Sequence, residues 1–328
     1  MRIAIIGAGL AGLRLAERLR GHAEVTVFEK SRGCGGRMST RRAGGFAFDH
    51  GAQFFTARAK SFQDFLSPHV SNGTVRQWQA RLTDLTGNAS PVWDTPHFVA
   101  VPGMNALAKA MTEGLTVQRE RRVASVHAIG TGWQLAFAGG DVSGPFDWVI
   151  STAPAEQSAA LMPQTAGFSR ALRDAKMHGC YCMMLGYDAA PVLDWDVAIP
   201  RTGPLRWIAA NHSKPGRPGT VSFVCHSDNE WADAHLEDDQ ETVKHRLCEA
   251  FETLTGIAVG DAVYTSLHRW RYAKTAKPAN APFMIDCARK LAAAGDWCGS
   301  GRVETAFESA EALADAVLKE VRDASITL

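Results

Sequence analysis

None of the seven cysteines, at positions 34, 180, 182, 225, 248, 287 and 298, pairs as CxxC or falls in a metal-ligand spacing. Zinc ribbons and dithiol redox motifs are thereby excluded, and reduced thiols are expected. Cys180 and Cys182 fall on one face of a predicted strand, where core packing is their expected role. No GxSxG occurs, which removes the nucleophile elbow of a serine hydrolase. No apolar run approaches eighteen residues, so no membrane-spanning helix is expected. The charge is nearly balanced, with 35 Lys and Arg against 34 Asp and Glu. That leaves no electrostatic basis for binding nucleic acid or an anionic membrane. The 328 residues, 46% hydrophobic and 21% charged, have ordinary globular composition and are enough for two domains. The chain starts directly on its first predicted strand with no signal peptide before it, and a cytoplasmic location is expected.

What is present is concentrated at the start. Ile3-Ala4-Ile5-Ile6 is a buried strand, Gly7-Ala8-Gly9-Leu10-Ala11-Gly12 is a GxGxxG turn opening a helix, and Val25-Thr26-Val27-Phe28-Glu29 is a second strand ending in an acid. Together these make a dinucleotide-binding βαβ unit. Gly7 permits the tight turn, Gly9 lets a pyrophosphate approach the backbone, and Gly12 lets helix and strand pack closely. The pyrophosphate then meets free N–H groups and the positive end of the helix dipole. Glu29 lies where a carboxylate accepts hydrogen bonds from an adenosine ribose, and it would repel a phosphate there, favouring NAD or FAD over NADP. A second glycine- and arginine-rich loop follows at once, from Lys30 through Gly35-Gly36-Arg37-Met38. A nicotinamide domain has no need of it. FAD is longer and runs back past such a loop, where backbone N–H groups and Arg37 can meet phosphate charge.

Glu29 with Gly35-Gly36-Arg37, joined to Gly295-Asp296-Trp297 and Arg302-Val303-Glu304-Thr305-Ala306, resembles the amine-oxidase type of flavoprotein. The resemblance implies that Asp296 holds ribityl or pyrophosphate oxygens and that the following helix points its N-terminus at the flavin. It also implies cofactor contacts from Gln53, Phe54, Val123, Thr152, Gly295, Arg302, Val303, Glu304 and Ala306. More narrowly, Lys30-Ser31-Arg32-Gly33, the segment Asp49 to Arg58, Pro102-Gly103-Met104, Ser213-Lys214-Pro215-Gly216-Arg217, His268 to Ala273 and Gly295-Asp296-Trp297-Cys298 together resemble the bacterial renalases. That family binds FAD non-covalently, takes hydride from the 2- and 6-dihydro isomers of β-NAD(P)H and passes the electrons to oxygen, giving hydrogen peroxide. A small dinucleotide substrate, O2 and a monomer or weak homodimer are implied. Thr305 and Ala310 stand where the family has glycine, on the helix that approaches the flavin.

The expected fold is α/β, a Rossmann-type FAD-binding domain interleaved with an α+β substrate domain built on an antiparallel sheet. The cofactor domain takes residues 1–59, 101–160 and 288–328, and the substrate domain 60–100 and 161–287. A helix is expected over about 240–254, and strands around Tyr181, Val221 and Val263. His50 and Gln53 lie in the segment the family places near the flavin. His268, Trp270 and Tyr272 alternate on one strand face and could wall the substrate. The loop from Asn211 to Arg217 is basic, and reads either as a partner for substrate phosphates or as a solvated turn.

Two other functions fit parts of the sequence. A true amine oxidase cages its amine between aromatic rings beside the flavin, but only four tyrosines are available and Arg302-Val303 occupies a stretch where such oxidases tend to carry Tyr. A flavin-binding protein without turnover is the reading that Thr305 and Ala310 would support.

Overall fold

A computed structural model of the chain describes residues 1–85, 92–189 and 192–326, with the side chains beyond 322 left out of the description. The chain divides into two compact units that it enters alternately. The first comprises Met1–Arg37, Ala108–Met177 and Thr275–Leu328, and the second Met38–Leu107 and His178–Lys274.

The first unit is built on a six-stranded sheet in the order Met284–Asp286, Leu291–Ala293, Trp148–Ser151, Arg2–Ile6, Glu24–Phe28, Thr116–Gln118. The inner strands run parallel, with Ile3 opposite both Trp148 and Val25, and only Met284–Asp286 is antiparallel. Ile3, Ala4 and Ile5 are fully buried, as a strand covered on both faces requires. The helix Leu10–Leu19 buries Leu10, Leu13, Leu15, Ala16 and Leu19. It is tied to the final helix, Val303–Ile326, by Arg14 and Arg18, whose guanidinium groups meet Glu311 at 2.5 Å each. A separate antiparallel sheet of Val123–Ile129, Gly132–Phe137 and Val142–Phe146 also belongs to this unit, and was not anticipated from the sequence.

The second unit carries a largely antiparallel sheet in the order Tyr264–Lys277, Lys176–Tyr187, Val221–Ser227, Leu205–Ala210, Val197–Ala198, Leu82–Thr83. Strand alternation sorts its side chains onto two faces. Tyr181, Met183 and Leu185 point to one, where the helix Gln240–Thr255 adds Val243, Leu247 and Phe251. Cys182 and Met184 point to the other and pack with Phe46 and Phe48 of a short hairpin. Gly186 makes room for that hairpin, since a Cβ there would lie 2.7 Å from the Phe46 ring. Cys180 and Cys182 are buried free thiols, which burial pushes upward in pKa, Cys180 to about 11.

The chain leaves the first unit after Arg37, whereas the sequence places that crossing near residue 59. Phe46 and Phe48 pack on the second unit's sheet, and Asp49 bonds to side chains from 211–217, so 38–59 goes with the substrate side. Residues 161–177 stay with the first unit, held by the Gly167 N–H to Asp286 and the Met177 N–H to Glu156.

Candidate active site

In the first unit the two glycine loops adjoin one space. Gly7 has φ +107°, which an L residue rarely adopts. A Cβ on Gly12 would sit 2.0 Å from the Gly7 carbonyl oxygen and 2.7 Å from Thr152 Oγ1, so helix and turn are in contact there. Thr152 Oγ1 reaches the carbonyls of Ile6 and Gly7 at 3.0 and 3.1 Å. Gly9 differs. A Cβ on it meets nothing within 4 Å, although its own Cα lies 3.6 Å from the Cβ position of Gly36. Space is therefore kept at the mouth of the helix, beside the N–H groups of Leu10, Ala11 and Gly12, which a first helical turn leaves without internal acceptors. The second loop is anchored by the Gly35 N–H to Ala8 carbonyl bond at 2.8 Å.

Glu29 is buried and accepts the Ala8 N–H at 2.9 Å and the Ser31 N–H at 2.8 Å, one at each oxygen. A carboxylate oxygen accepts twice, so both keep capacity for a ribose hydroxyl. Lys30 reaches outward to Gln157 at 3.3 Å. Arg37 and Asp296 are brought together as a bidentate pair at 2.7 and 2.5 Å. The sequence reading gave both to the cofactor but did not pair them. Gly295 donates to Ser309 at 3.1 Å, Glu304 is buried, and Arg302 is exposed just before the final helix begins at Val303. Ala306 closes that helix's first turn on the Arg302 carbonyl, while Thr305 hydrogen-bonds Ser300 at 2.9 Å. Val123 is a buried strand residue of the same unit. A cradle a Cβ would fill, a buried acid with spare acceptor capacity and the Arg37–Asp296 pair suit a long dinucleotide with a pyrophosphate.

Met38, Gln53 and Phe54 lie in the second unit. There three rings from distant positions meet. His50 stacks on Trp270 with centroids 5.3 Å apart, and His268 meets His50 edge-on at 5.0 Å and Trp270 at 4.4 Å. The His50 carbonyl accepts from Trp270 Nε1 at 2.8 Å and from His226 Nε2 at 3.3 Å. Tyr272 is half-buried, and no ring contact among the described residues ties it to this set.

Beneath the His50 loop lies a charged group that sequence reasoning missed. Asp49 is fully buried, and its Oδ2 accepts from Arg217 Nη2 at 2.5 Å and Nε at 2.9 Å, with Lys214 Nζ at 3.4 Å. Its Oδ1 accepts from Thr40 at 2.7 Å and from the Met104 N–H at 3.0 Å. The loop Asn211 to Arg217 is thus neither a solvated turn nor an exposed phosphate clamp: Lys214 and Arg217 turn inward. Lys214 also donates to Gln53 Oε1 at 3.0 Å, and Gln53 Nε2 donates to the carbonyls of Asp49 at 2.5 Å and Gly51 at 3.0 Å. Burial would raise the Asp49 carboxyl, but Lys214 and Arg217 with the two hydrogen bonds hold it below its usual range. Burial pulls Lys214 down to about 8.

Burial, with positive neighbours, lowers His50 to about 3 and His268 to about 4, and burial lowers His226 to about 4. All three imidazoles are neutral near pH 7. In the unfolded chain each takes its proton near 6.5, so between that pH and about 4 acid favours unfolding. Stability should be complete above pH 6.5 and fall as pH drops toward 4. Denaturant midpoints from pH 8 to 4 test this, and a midpoint that rises on acidification through 6 would contradict it.

A parallel sheet with two glycine loops and a terminal helix defines an FAD-type dinucleotide-binding oxidoreductase. The chain belongs to the family described as flavin containing amine oxidoreductase, matched over residues 81–318, with an NAD(P)-binding Rossmann-like domain matched over 5–68. Its cofactor is non-covalently bound FAD. Among curated proteins it is 42% identical over 78 residues to a 4,4'-diapophytoene desaturase (4,4'-diaponeurosporene-forming) of Staphylococcus aureus strain Newman, a match covering 20% of this chain and 15% of that protein. The chain thus matches a small fraction of the desaturase's length. Its fold is similar to that of a reduced UDP-galactopyranose mutase, with TM-score 0.75, 14% identity and 97% and 94% of the two chains covered. It is likewise similar to cyclohexylamine oxidase from Brevibacterium oxydans IH-35A, with TM-score 0.74, 13% identity and 98% and 99% covered. Among the described residues no helix is long and apolar enough to cross a membrane, and no group of His, Cys, Asp or Glu could hold a metal ion.

Proposed function

We propose that the chain oxidises the misreduced 2- and 6-dihydro isomers of β-NAD(P)H, with O2 as final acceptor. FAD supplies a two-electron acceptor for hydride. The donor leaves as NAD(P)+, and O2 takes up the two electrons and the proton of the hydride together with one further proton to become H2O2. The observation that carries this reading is the set of neutral rings formed by His50, His268 and Trp270. Such a wall can orient a flat dihydropyridine and does not repel the pyridinium that hydride loss creates, and orientation is what this transfer needs from the protein. The renalase-like motifs, several of which converge on Asp49, support the same assignment. An amine cage is poorly supplied: Tyr181 and Tyr187 are core residues bonded to the carbonyls of His235 and Ala258, and Tyr264 stacks on Phe48.

Anaerobic mixing should show rapid flavin bleaching by the 2- and 6-dihydro isomers, slow bleaching by ordinary NADH and none by primary amines. His268→Ala should slow reduction by up to about a hundredfold while FAD content is unchanged. Fast bleaching by an amine alone would assign the chain to amine oxidation. Bleaching by no donor would make it a flavin binder, with Thr305 and Ala310 the first residues to revert to glycine.

A further inference from the structure

The second unit holds another aromatic group that the proposed chemistry leaves unused. Phe54, Trp93, His97 and Trp207 come together from three separate stretches of chain. Phe54 lies 4.2 Å from His97, 5.3 Å from Trp93 and 5.4 Å from Trp207 between centroids, and Trp93 stacks on His97 at 3.8 Å with planes 12° apart. His97 is buried, whereas Phe54, Trp93 and Trp207 keep part of their surface in solvent. Core aromatics are usually covered, and half-open stacked rings with a π face to offer are how proteins hold flat heterocycles.

This group is continuous with the His50 wall through two side chains, Gln53 and His226. Trp207 Nε1 donates to Gln53 Oε1 at 3.3 Å, and Gln53 Nε2 approaches His226 Nε2 at 3.4 Å, which in turn bonds the His50 carbonyl. Behind Gln53 stand Lys214 and Arg217 against the single carboxylate Asp49, all buried. One positive charge is left uncompensated there, in a place where salt screens it little. Two ring platforms joined through Gln53 match the two flat rings of a dinucleotide.

We propose that Phe54, Trp93, His97 and Trp207 form the docking platform for the purine half of the dinucleotide substrate. The proposal rests on the dihydronicotinamide reading above for its substrate, but it is testable without turnover. ADP-ribose carries the purine half and no nicotinamide, and nicotinamide mononucleotide carries the reverse. Calorimetric titration of the FAD-loaded protein should show ADP-ribose binding with quenching of tryptophan fluorescence and no loss of flavin absorbance. Trp93→Ala should weaken ADP-ribose roughly ten- to a hundredfold, the worth of one stacked base, and leave nicotinamide mononucleotide within twofold. Phe54→Leu, which keeps apolar volume, should act in the same direction should Trp93→Ala fold poorly. Absence of ADP-ribose binding by the wild-type chain, or equal weakening of both ligands in the variants, would overturn the platform. ADP-ribose binding that depends on Trp93, in a protein no dihydronicotinamide can reduce, would uphold the platform and remove the reaction.

Discussion

Replacing Asp49 with Ala should lower the thermal midpoint of the second unit by on the order of 10 °C, the largest single effect expected on that side of the molecule. The carboxylate is the only acid in contact with Lys214 and Arg217 among the described residues, and all three side chains are within 1% of complete burial. Removing one partner of a buried ion pair leaves charge that neither water nor protein compensates, and costs about 3–5 kcal/mol. A domain of this size shifts by roughly 2–4 °C per kcal/mol. Asp49→Asn keeps the shape and the acceptor toward Thr40 and Met104, and should lose nearly as much, because charge is what is missing. Adding Lys214→Met to Asp49→Asn removes one of the two stranded cations and should recover part of the loss. Calorimetry of Asp49→Asn, Lys214→Met and the double variant against the wild type gives the coupling directly. An Asp49→Asn protein as stable as the wild type would mean that the cluster contributes little as an ion pair.

That cluster also marks where the sequence stops being readable. Ile3 to Glu29 could be interpreted because strand, glycine turn, helix and acid are neighbours in the chain and each has a local physical job. The alternation from Tyr181 to Leu185 and the helix from Gln240 are equally local, and the structure has both. The pairing of Asp49 with Lys214 and Arg217 spans 165 and 168 residues. Nothing near Ser213-Lys214-Pro215-Gly216-Arg217 says whether its cations face water or an acid far away in sequence. The one available hint was composition: Asp49 begins a segment of His50, Gly51, Ala52, Gln53, Phe54 and Phe55 that is otherwise uncharged, which is an expensive setting for a lone carboxylate without a cation. The ring set of His50, His268 and Trp270 was half legible, since i and i+2 on a strand share a face. Tyr272 satisfies the same rule yet is not in the set, because the ring that gathers the other two, His50, comes from elsewhere in the chain. The three-stranded sheet from Val123 to Phe146 also went unread, although Gly132–Phe137 alternates in burial.

Two substitutions three residues apart should separate cofactor from fold. Gly12→Ala places a methyl 2.0 Å from a backbone carbonyl oxygen and 2.7 Å from Thr152 Oγ1, and backbone cannot step aside as a side-chain tip can. The variant should lose at least the ~3 kcal/mol at the upper end of ordinary overpacking, and its apoprotein should unfold at a visibly lower temperature. Gly9→Ala should do neither. Gly9 has φ −77° and ψ −179°, open to any L residue, and its Cβ position is clear of protein within 4 Å. Apoprotein carrying Gly9→Ala should therefore melt within a few degrees of the wild type. Its affinity for FAD should nonetheless fall tenfold or more, at least 1.4 kcal/mol, because the methyl enters the space where the pyrophosphate approaches the helix N-terminus. Flavin fluorescence titration of the apoproteins reads the affinity and differential scanning calorimetry reads the fold. If Gly9→Ala binds FAD as tightly as the wild type, the pyrophosphate does not lie against the first glycine turn, and the space between Gly9 and Gly36 serves something else.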